Sequence, residues 1–231
     1  MRLIALRYPR AILLQLLLAT ALFIPESADA AESRDALLTI VSTCIDIYAP
    51  DYCKHCPAPR LESPCAQNHD CKATTEVWEE TADYVVIRDR KMCGCTSSFL
   101  HGLVIPRVRI TGVEDPRRPD RIWSIAWAIA RKRIAEEDTI ALVVNPPESR
   151  SQDQLHIHII RLRSDARGRI DEGKSGRVQN LDDVWIAAAK KAKDANLRNY
   201  GVLVTLHHDG GFLVLVDERN PEKLFTLWEC K

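Results

Sequence analysis

Gln154, His156 and His158 alternate with Leu155, Ile157 and Ile159. A period of two is the signature of a β-strand, in which successive side chains point to opposite faces. The three polar groups therefore share a face, about 7 Å apart at successive positions. The three aliphatic side chains point into a core. Two imidazoles on one surface can attack an electrophile, move protons near neutral pH or ligate a metal. The same pattern also fits a solvated sheet face on which histidine is a generic polar residue, or half of a metal site.

Two other clusters could do chemistry. Arg161, Arg163, Arg167 and Arg169 crowd nine residues. Such a run can clamp a pyrophosphate bidentately, meet anionic lipid headgroups, or simply be a solvated loop. Eight cysteines are present: Cys44, Cys53, Cys56, Cys65, Cys71, Cys93, Cys95 and Cys230. An even count in an exported chain reads as disulfides. Cys53, Cys56, Cys65, His69 and Cys71 could instead chelate zinc. Only Gly94 separates Cys93 from Cys95, so a bridge between those two would be strained and each is expected to pair elsewhere. Cys230 is expected to tie the C-terminus back to the N-terminal region. His207 and His208 fall in an Asp-Gly turn and are read as exposed, without a role.

The elements that must position these groups follow from periodicity. Residues 31–43 read as a short amphipathic helix. From Cys44 to Cys71 the composition turns to proline, cysteine and polar residues, an irregular segment too short for its own core. Tyr84–Arg88, Leu100–Ile105 and Ile140–Val144 read as strands. A helix is expected after Pro116 and Pro119, with Ile122, Ile125, Ala126 and Ile129 on one face. Arg131, Lys132 and Arg133 close it, where positive charge suits the helix dipole. Trp123 and Trp127 lie four apart on that helix and read as core, the alternative being a membrane-facing groove. Asn180 reads as the N-cap of a second helix ending in Lys190, Lys191 and Lys193. Val202–Leu206 and Phe212–Val216 form a hairpin through Asp209-Gly210. Antiparallel strands with two helices make an α+β domain.

The N-terminus reads as an export signal. Arg2, Arg7 and Arg10 precede a mostly apolar run of 14 residues, Ala11–Ile24, which is short for a membrane span. Ala28-Asp29-Ala30 suits cleavage after Ala30; an uncleaved anchor is the alternative. The organisation is then a leader at 1–30, a helix and cysteine-rich segment at 31–78, and a main domain at 79–231. The whole chain has a net charge of zero. Loss of the leader removes three positive and two negative charges and leaves −1. Bulk electrostatics therefore gives no reason to expect a nucleic-acid partner.

Around the histidines the chain resembles the histidine triad superfamily, whose motif is His-φ-His-φ-His-φ-φ with φ apolar. Gln154 stands where the first histidine belongs. Asn145 and Ser151 occupy positions where that superfamily places an asparagine and a serine. His101-Gly102-Leu103-Val104-Ile105-Pro106 is similar to its histidine-x-leucine-valine-isoleucine-proline strand. Within the superfamily, further stretches resemble the CDP-diacylglycerol pyrophosphatase family. These are Tyr84-Val85-Val86-Ile87-Arg88-Asp89, the run from Pro106 to Pro116, Gln152, Ser63-Pro64-Cys65-Ala66 and Cys230.

The resemblance implies a histidine-triad-like antiparallel sheet with two packed helices and a disulfide-rich N-terminal segment. It implies hydrolysis of CDP-diacylglycerol at a membrane surface to CMP and phosphatidate, through a covalent histidine–CMP intermediate and with no cofactor or metal. His156 would be the nucleophile, with His158 holding a phosphoryl oxygen. Asn145, Ser151 and Gln152 would contact phosphate, as would Arg163 and Arg167. Glutamine cannot hand over a proton near neutral pH, so His101 is expected to supply the proton or charge that Gln154 cannot. The protein is expected in the periplasm or on the periplasmic side of the inner membrane, and members of the superfamily often form homodimers. The rival readings are the same chemistry on soluble nucleotides, and a non-catalytic exported zinc-binding module.

Overall fold

A computed structural model describes residues 34–44, 77–92, 95, 96 and 98–230, all within the unit Glu32–Lys231. The leader and the Cys53–Cys71 segment lie outside the described residues. The chain is α+β. Eight strands form one antiparallel sheet: β1 (Val77–Glu80), β2 (Tyr84–Arg88), β3 (His101–Pro106), β4 (Ile140–Val144), β5 (Ile157–Arg161), β6 (Ser175–Val178), β7 (Gly201–Leu206) and β8 (Phe212–Asp217). Their order across the sheet is β1-β2-β3-β5-β4-β7-β8-β6. The helices are α1 (Ala36–Thr39, continued by a wider turn at Ile40–Cys44), α2 (Ile122–Arg133), α3 (Val184–Asp194) and α4 (Pro221–Phe225).

The central strands are buried along nearly their whole length because both faces of the sheet are covered. On one face, Val104, Ile157, Ile159, Leu142, Val144, Val202, Val204, Val214 and Val216 form one continuous core with α2 and α3. Trp123 and Trp127 are buried in that core, and Trp123 meets Trp185 of α3 edge to face at 4.8 Å. Ile122, Ala126 and Ile129 are buried on α2, as their spacing predicts, while Ile125 only packs against the core margin. The Asn180 side chain accepts from the Asp182 N–H and caps the turn leading into α3. Gly210 and Gly211 take positive φ in the β7–β8 turn, a conformation that suits glycine.

The opposite face is covered in two separate patches. Leu37 and Val41, at the N-terminal helix, close over Val77, Val85, Ile87, Leu103 and Ile105 of β1, β2 and β3. Phe225 of α4, with Leu162 and Ala166, closes over Ala141, Val143, Ile160, Leu203 and Leu215. The gap between the patches runs along β5 and the start of β3, where the residues are histidines.

Strands β1 and β6 and helix α4 are additions to the elements expected from the sequence. The histidine strand is also shorter than its alternation suggests, since β5 begins at Ile157. Before it, the Leu155 N–H donates to the Ile110 carbonyl, so residues 154–156 run against the irregular 106–110 connection rather than against a strand.

Candidate active site

In register, His158 of β5 lies opposite Leu103 of one apolar patch and Val143 of the other, and His101 lies opposite Ile160. Ile157 and Ile159 belong to the helix-covered core, so His158 must face the gap between patches. The two imidazoles share a hydrogen bond of 2.8 Å between His101 Nε2 and His158 Nδ1. The His156 ring sits 4.8 Å from that of His158, edge to face. Placing both on one face is correct even though His156 stands just before the strand.

The tautomer of His156 follows from its partner. Its Nδ1 lies 2.7 Å from the Gln154 carbonyl oxygen, which can only accept. Nδ1 therefore carries the proton, and Nε2 keeps its lone pair. Burial pushes the His156 pKa down, against a raising contribution from that carbonyl bond. His158 is driven well below the ordinary imidazole value, first by burial. His101 is fully buried and falls to about 3 for the same reason. All three rings are neutral at pH 7.

A cavity of about 310 Å³ opens beside the histidines. One wall is apolar: Ala36, Leu37, Ile40, Ile87 and Leu103. The other carries Arg88, Asp89, Lys91, Ser151, Gln152, His156 and His158. Gln152 is buried and accepts the Leu37 N–H through Oε1 at 3.0 Å, which seats α1 over the cavity.

The pattern in the sequence misses Glu222 and Lys91. Glu222, in the first turn of α4, is buried. Lys91 Nζ donates to it at 2.7 Å and Asn145 Nδ2 at 2.6 Å. Its carboxylate oxygens stand 3.4 Å from His101 Nε2 and 3.6 Å from His158 Nε2. Burial alone would raise this carboxyl, but any proton on His158 or His101 and the Lys91 ammonium favour its ionised form, outweigh burial and hold it below the usual carboxylate range. With the imidazoles neutral, Lys91 is the cation of the group. Asn220-Pro221 is a legible helix start, with Asn220 accepting the Lys223 N–H as N-cap. Nothing in the sequence marks Glu222 as facing His158.

The other expected site residues are placed as follows. Ser151 is exposed at the cavity wall. Asn145 is buried behind it and serves Glu222 and, at 3.4 Å, His158 Nε2. Gln154 does not line the cavity. Its Nε2 donates to the Pro106 and Val108 carbonyls and its Oε1 accepts the Ile110 N–H. Both ends of the amide are therefore committed to backbone, and this side chain straps the histidine segment to the 106–110 connection instead of facing phosphate. His101 is fully buried behind His158, holds its Nε2 against that ring and does not line the cavity.

Arg163 and Arg167 are not brought to the histidines. They follow β5 at its far end, where Arg163 lies roughly 16 Å along the chain direction from His158. Arg163 pairs with Asp165 at 3.0 Å. Arg167 donates to the Leu206 and Asp138 carbonyls. Asp89, His101 and His158 offer ligand atoms within 4.8 Å of one another. The two ring nitrogens concerned are spent on each other at 2.8 Å, so the trio fits a hydrogen-bonded pair beside a carboxylate better than a metal site. Cys230 bonds to Cys95, and Cys93 lies outside the described residues.

A neutral imidazole with a bare ring nitrogen at a cavity wall, backed by a second imidazole and a carboxylate, is equipment suited to a hydrolase. The family comparison gives that class and narrows it. The model of the CDP-diacylglycerol pyrophosphatase family matches residues 33–185, well over half of the chain, and the chain belongs to that family. The family is a hydrolase that acts on the phosphoanhydride bond of CDP-diacylglycerol. His101, Asn145, His156 and His158 lie within the matched residues, and Glu222 lies beyond them.

Proposed function

We propose that this chain hydrolyses CDP-diacylglycerol to CMP and phosphatidate through a covalent phosphohistidine at His156, on a histidine-triad-like sheet. The observation that carries the reading is the bond from His156 Nδ1 to the Gln154 carbonyl, which leaves Nε2 unprotonated beside the cavity. In the first step Nε2 forms a bond to the CMP phosphorus. The bond from that phosphorus to the bridging oxygen breaks, and phosphatidate leaves with the electron pair. In the second step water adds to the same phosphorus and gives its proton to His158 and then to solvent, the N–P bond breaks with its electron pair returning to His156 Nε2, and CMP departs. Phosphate is a good leaving group, so the heavier demand is for charge stabilisation. Lys91 and the Ser151 hydroxyl stand in the cavity wall to meet it. His158, held by His101 and Asn145, orients the phosphoryl oxygens.

The apolar wall of Ala36, Leu37, Ile40, Ile87 and Leu103 supports a lipid as the leaving half. Among the described residues no helix is long and apolar enough to cross a membrane. Access to the lipid would then come from the leader, or from docking at the periplasmic membrane surface.

The test uses full-length protein and CDP-diacylglycerol in detergent micelles, labelled in the CMP phosphate. An alkaline denaturing quench during the first turnover should leave label on the peptide containing His156. His156→Ala should release no CMP and carry no label. Turnover by His156→Ala would remove the nucleophile. Equal or faster release of CMP from soluble CDP-alcohols would shift the substrate away from lipid.

A further inference from the structure

Residues 91–95 and 222–230 meet at three points. Lys91 pairs with Glu222 at 2.7 Å. The Lys91 ammonium also lies 5.5 Å from the centre of the Trp228 ring. Cys95 is bonded to Cys230, and its sulfur lies 3.0 Å from the Lys91 carbonyl oxygen. The disulfide closes a sequence separation of 135 residues and lies four residues from Lys91 and eight from Glu222. Glu222 is the only acidic side chain of α4 and stands within 3.6 Å of both His101 and His158.

We propose that this C-terminal segment is part of the catalytic apparatus: Glu222 positions His158 and balances its charge, and the Cys95–Cys230 disulfide holds Glu222 in place, so that turnover depends on that bond. The proposal rests on the phosphohistidine reading above. A buried carboxylate beside two neutral imidazoles is an expensive arrangement unless its charge is used. Here Lys91 and Asn145 keep it ionised. When the pyrophosphate enters beside Lys91, the carboxylate remains to stabilise a proton taken up by His158. Without the disulfide, α4 keeps Phe225 in its apolar patch, Lys91 and Asn145 on Glu222, the Asn220 amide on the Ser149 carbonyl, and the backbone bonds Arg163 N–H to Phe225 O and Leu227 N–H to Arg161 O, but it loses the covalent tie to the Lys91 turn. Loss of register there separates Glu222 from His158 while leaving the sheet intact. Glu222 is therefore a positioning residue, because it acts through His158.

The groups that face His158 are Glu222 from α4, His101 from β3, His156 from its own segment, and Lys91 and Asp89 from the turn after β2. Among them, Glu222 favours the imidazolium, while His156, His101 and Lys91 oppose it. Removing the Glu222 charge thus moves the histidine inflection in kcat/KM to lower pH, which a merely structural residue would not do.

The experiment measures CMP release between about pH 3.5 and pH 8 for oxidised full-length protein, over the range in which circular dichroism shows it folded. The proteins are wild type, His156→Ala, Glu222→Gln, Glu222→Asp, the pair Cys95→Ser/Cys230→Ser, and the triple variant that combines that pair with Glu222→Gln. Glu222→Gln should lose kcat by about a hundredfold with little change in KM. Its histidine inflection should move to lower pH, and Glu222→Asp should recover part of the rate. The cysteine pair should lose kcat in the same manner, and the triple variant should be no slower than Glu222→Gln.

Wild-type kcat and pH profile in Glu222→Gln would overturn the proposal, and losses that multiply would overturn the link between disulfide and carboxylate. Should the cysteine pair not fold, wild type is titrated with a dithiol reductant while alkylation of Cys95 and Cys230, circular dichroism and CMP release are followed together. Activity lost before the fold supports the link, and activity lost only with it does not. An active His156→Ala would defeat the underlying reading separately, whatever Glu222 does.

Discussion

Two histidine pairs sit close together in this chain, and the structure treats them oppositely. His156 and His158 are buried, 4.8 Å apart, between two apolar patches of the sheet, and each is bonded to a specific partner. His207 and His208 stack at 4.2 Å in the β7–β8 turn, with His208 exposed. Their chemistry is the same, so environment makes the difference. The first pair is desolvated and bonded to buried partners, whereas His208 is exposed and His207 only half-buried, so water reaches the second pair. A histidine becomes a candidate catalyst when the fold removes its water and fixes which nitrogen bears the proton.

The largest effect expected is therefore at His156. Replacement by Ala should lower CMP release by about a thousandfold or more, because a covalent step has no second route once its nucleophile is gone. Single-turnover kinetics in micelles checks this. His158→Ala should cost about a hundredfold, mostly in kcat, since that ring orients and balances charge without bonding to phosphorus. If the two variants were equally slow and both still formed the phosphohistidine, the division of labour within the pair would be wrong.

Burial also couples the first pair to stability. In the unfolded chain these imidazoles titrate near their ordinary value of 6.5. Folded, His156, His158 and His101 all stay neutral below it, His101 down to about 3. As pH falls through about 6.5, the unfolded state takes up protons that the folded state refuses. Stability should then fall by about 1.4 kcal/mol per pH unit for each ring that remains neutral. Above that range these groups contribute no slope. Glu222, held below the usual carboxylate range, adds a loss of the same sign as pH drops beneath its ordinary value of 4.5. Thermal melts from pH 8 to pH 4.5 should decline with acid, and His101→Phe should flatten the decline.

How much of this was legible in the sequence divides along physical lines. The α+β class, the central strands, α2, the cap at Asn180 and the burial of the two tryptophans follow from periodicity, local capping chemistry and hydrophobicity. The facing of His156 and His158 follows from alternation. Gln154 shows where that reasoning stops. Its position in the pattern put it at the phosphate, but its amide is consumed by three backbone groups of the 106–110 connection. Strand periodicity cannot see a partner about 45 residues away. Glu222 was invisible for a stronger reason, since it reaches His158 only because α4 folds back over β4 and β7. Arg163 and Arg167 were drawn to the site by the resemblance, and the direction of β5 carries them to its other end.

Gln154→Ala sharpens the comparison at a smaller scale. It removes the strap that holds the His156 segment off the solvent, leaving the Ile110 N–H and two carbonyls without that partner. A loss of about 1–3 kcal/mol in chemical denaturation is expected, more than a surface amide would cost. The chemistry should survive in the folded fraction, with kcat reduced far less than in His158→Ala. A larger loss in kcat than in stability would return Gln154 to the reacting groups.

The smallest effect belongs to the second pair. His207 Nδ1 accepts the Asp209 N–H at 3.1 Å, a local turn contact that water can replace. His208 and Asp209 approach at 3.2 Å, but both side chains are largely exposed. An exposed contact of that kind contributes little. The β7–β8 register is set instead by Gly210 and Gly211 and by the apolar partners Val204 and Val214. The double variant His207→Ala/His208→Ala should therefore keep kcat and KM, and should change stability by no more than about 0.5 kcal/mol. A clear loss of CMP release in that variant would mean that the turn takes part in substrate binding, and that burial is not what separates the two pairs.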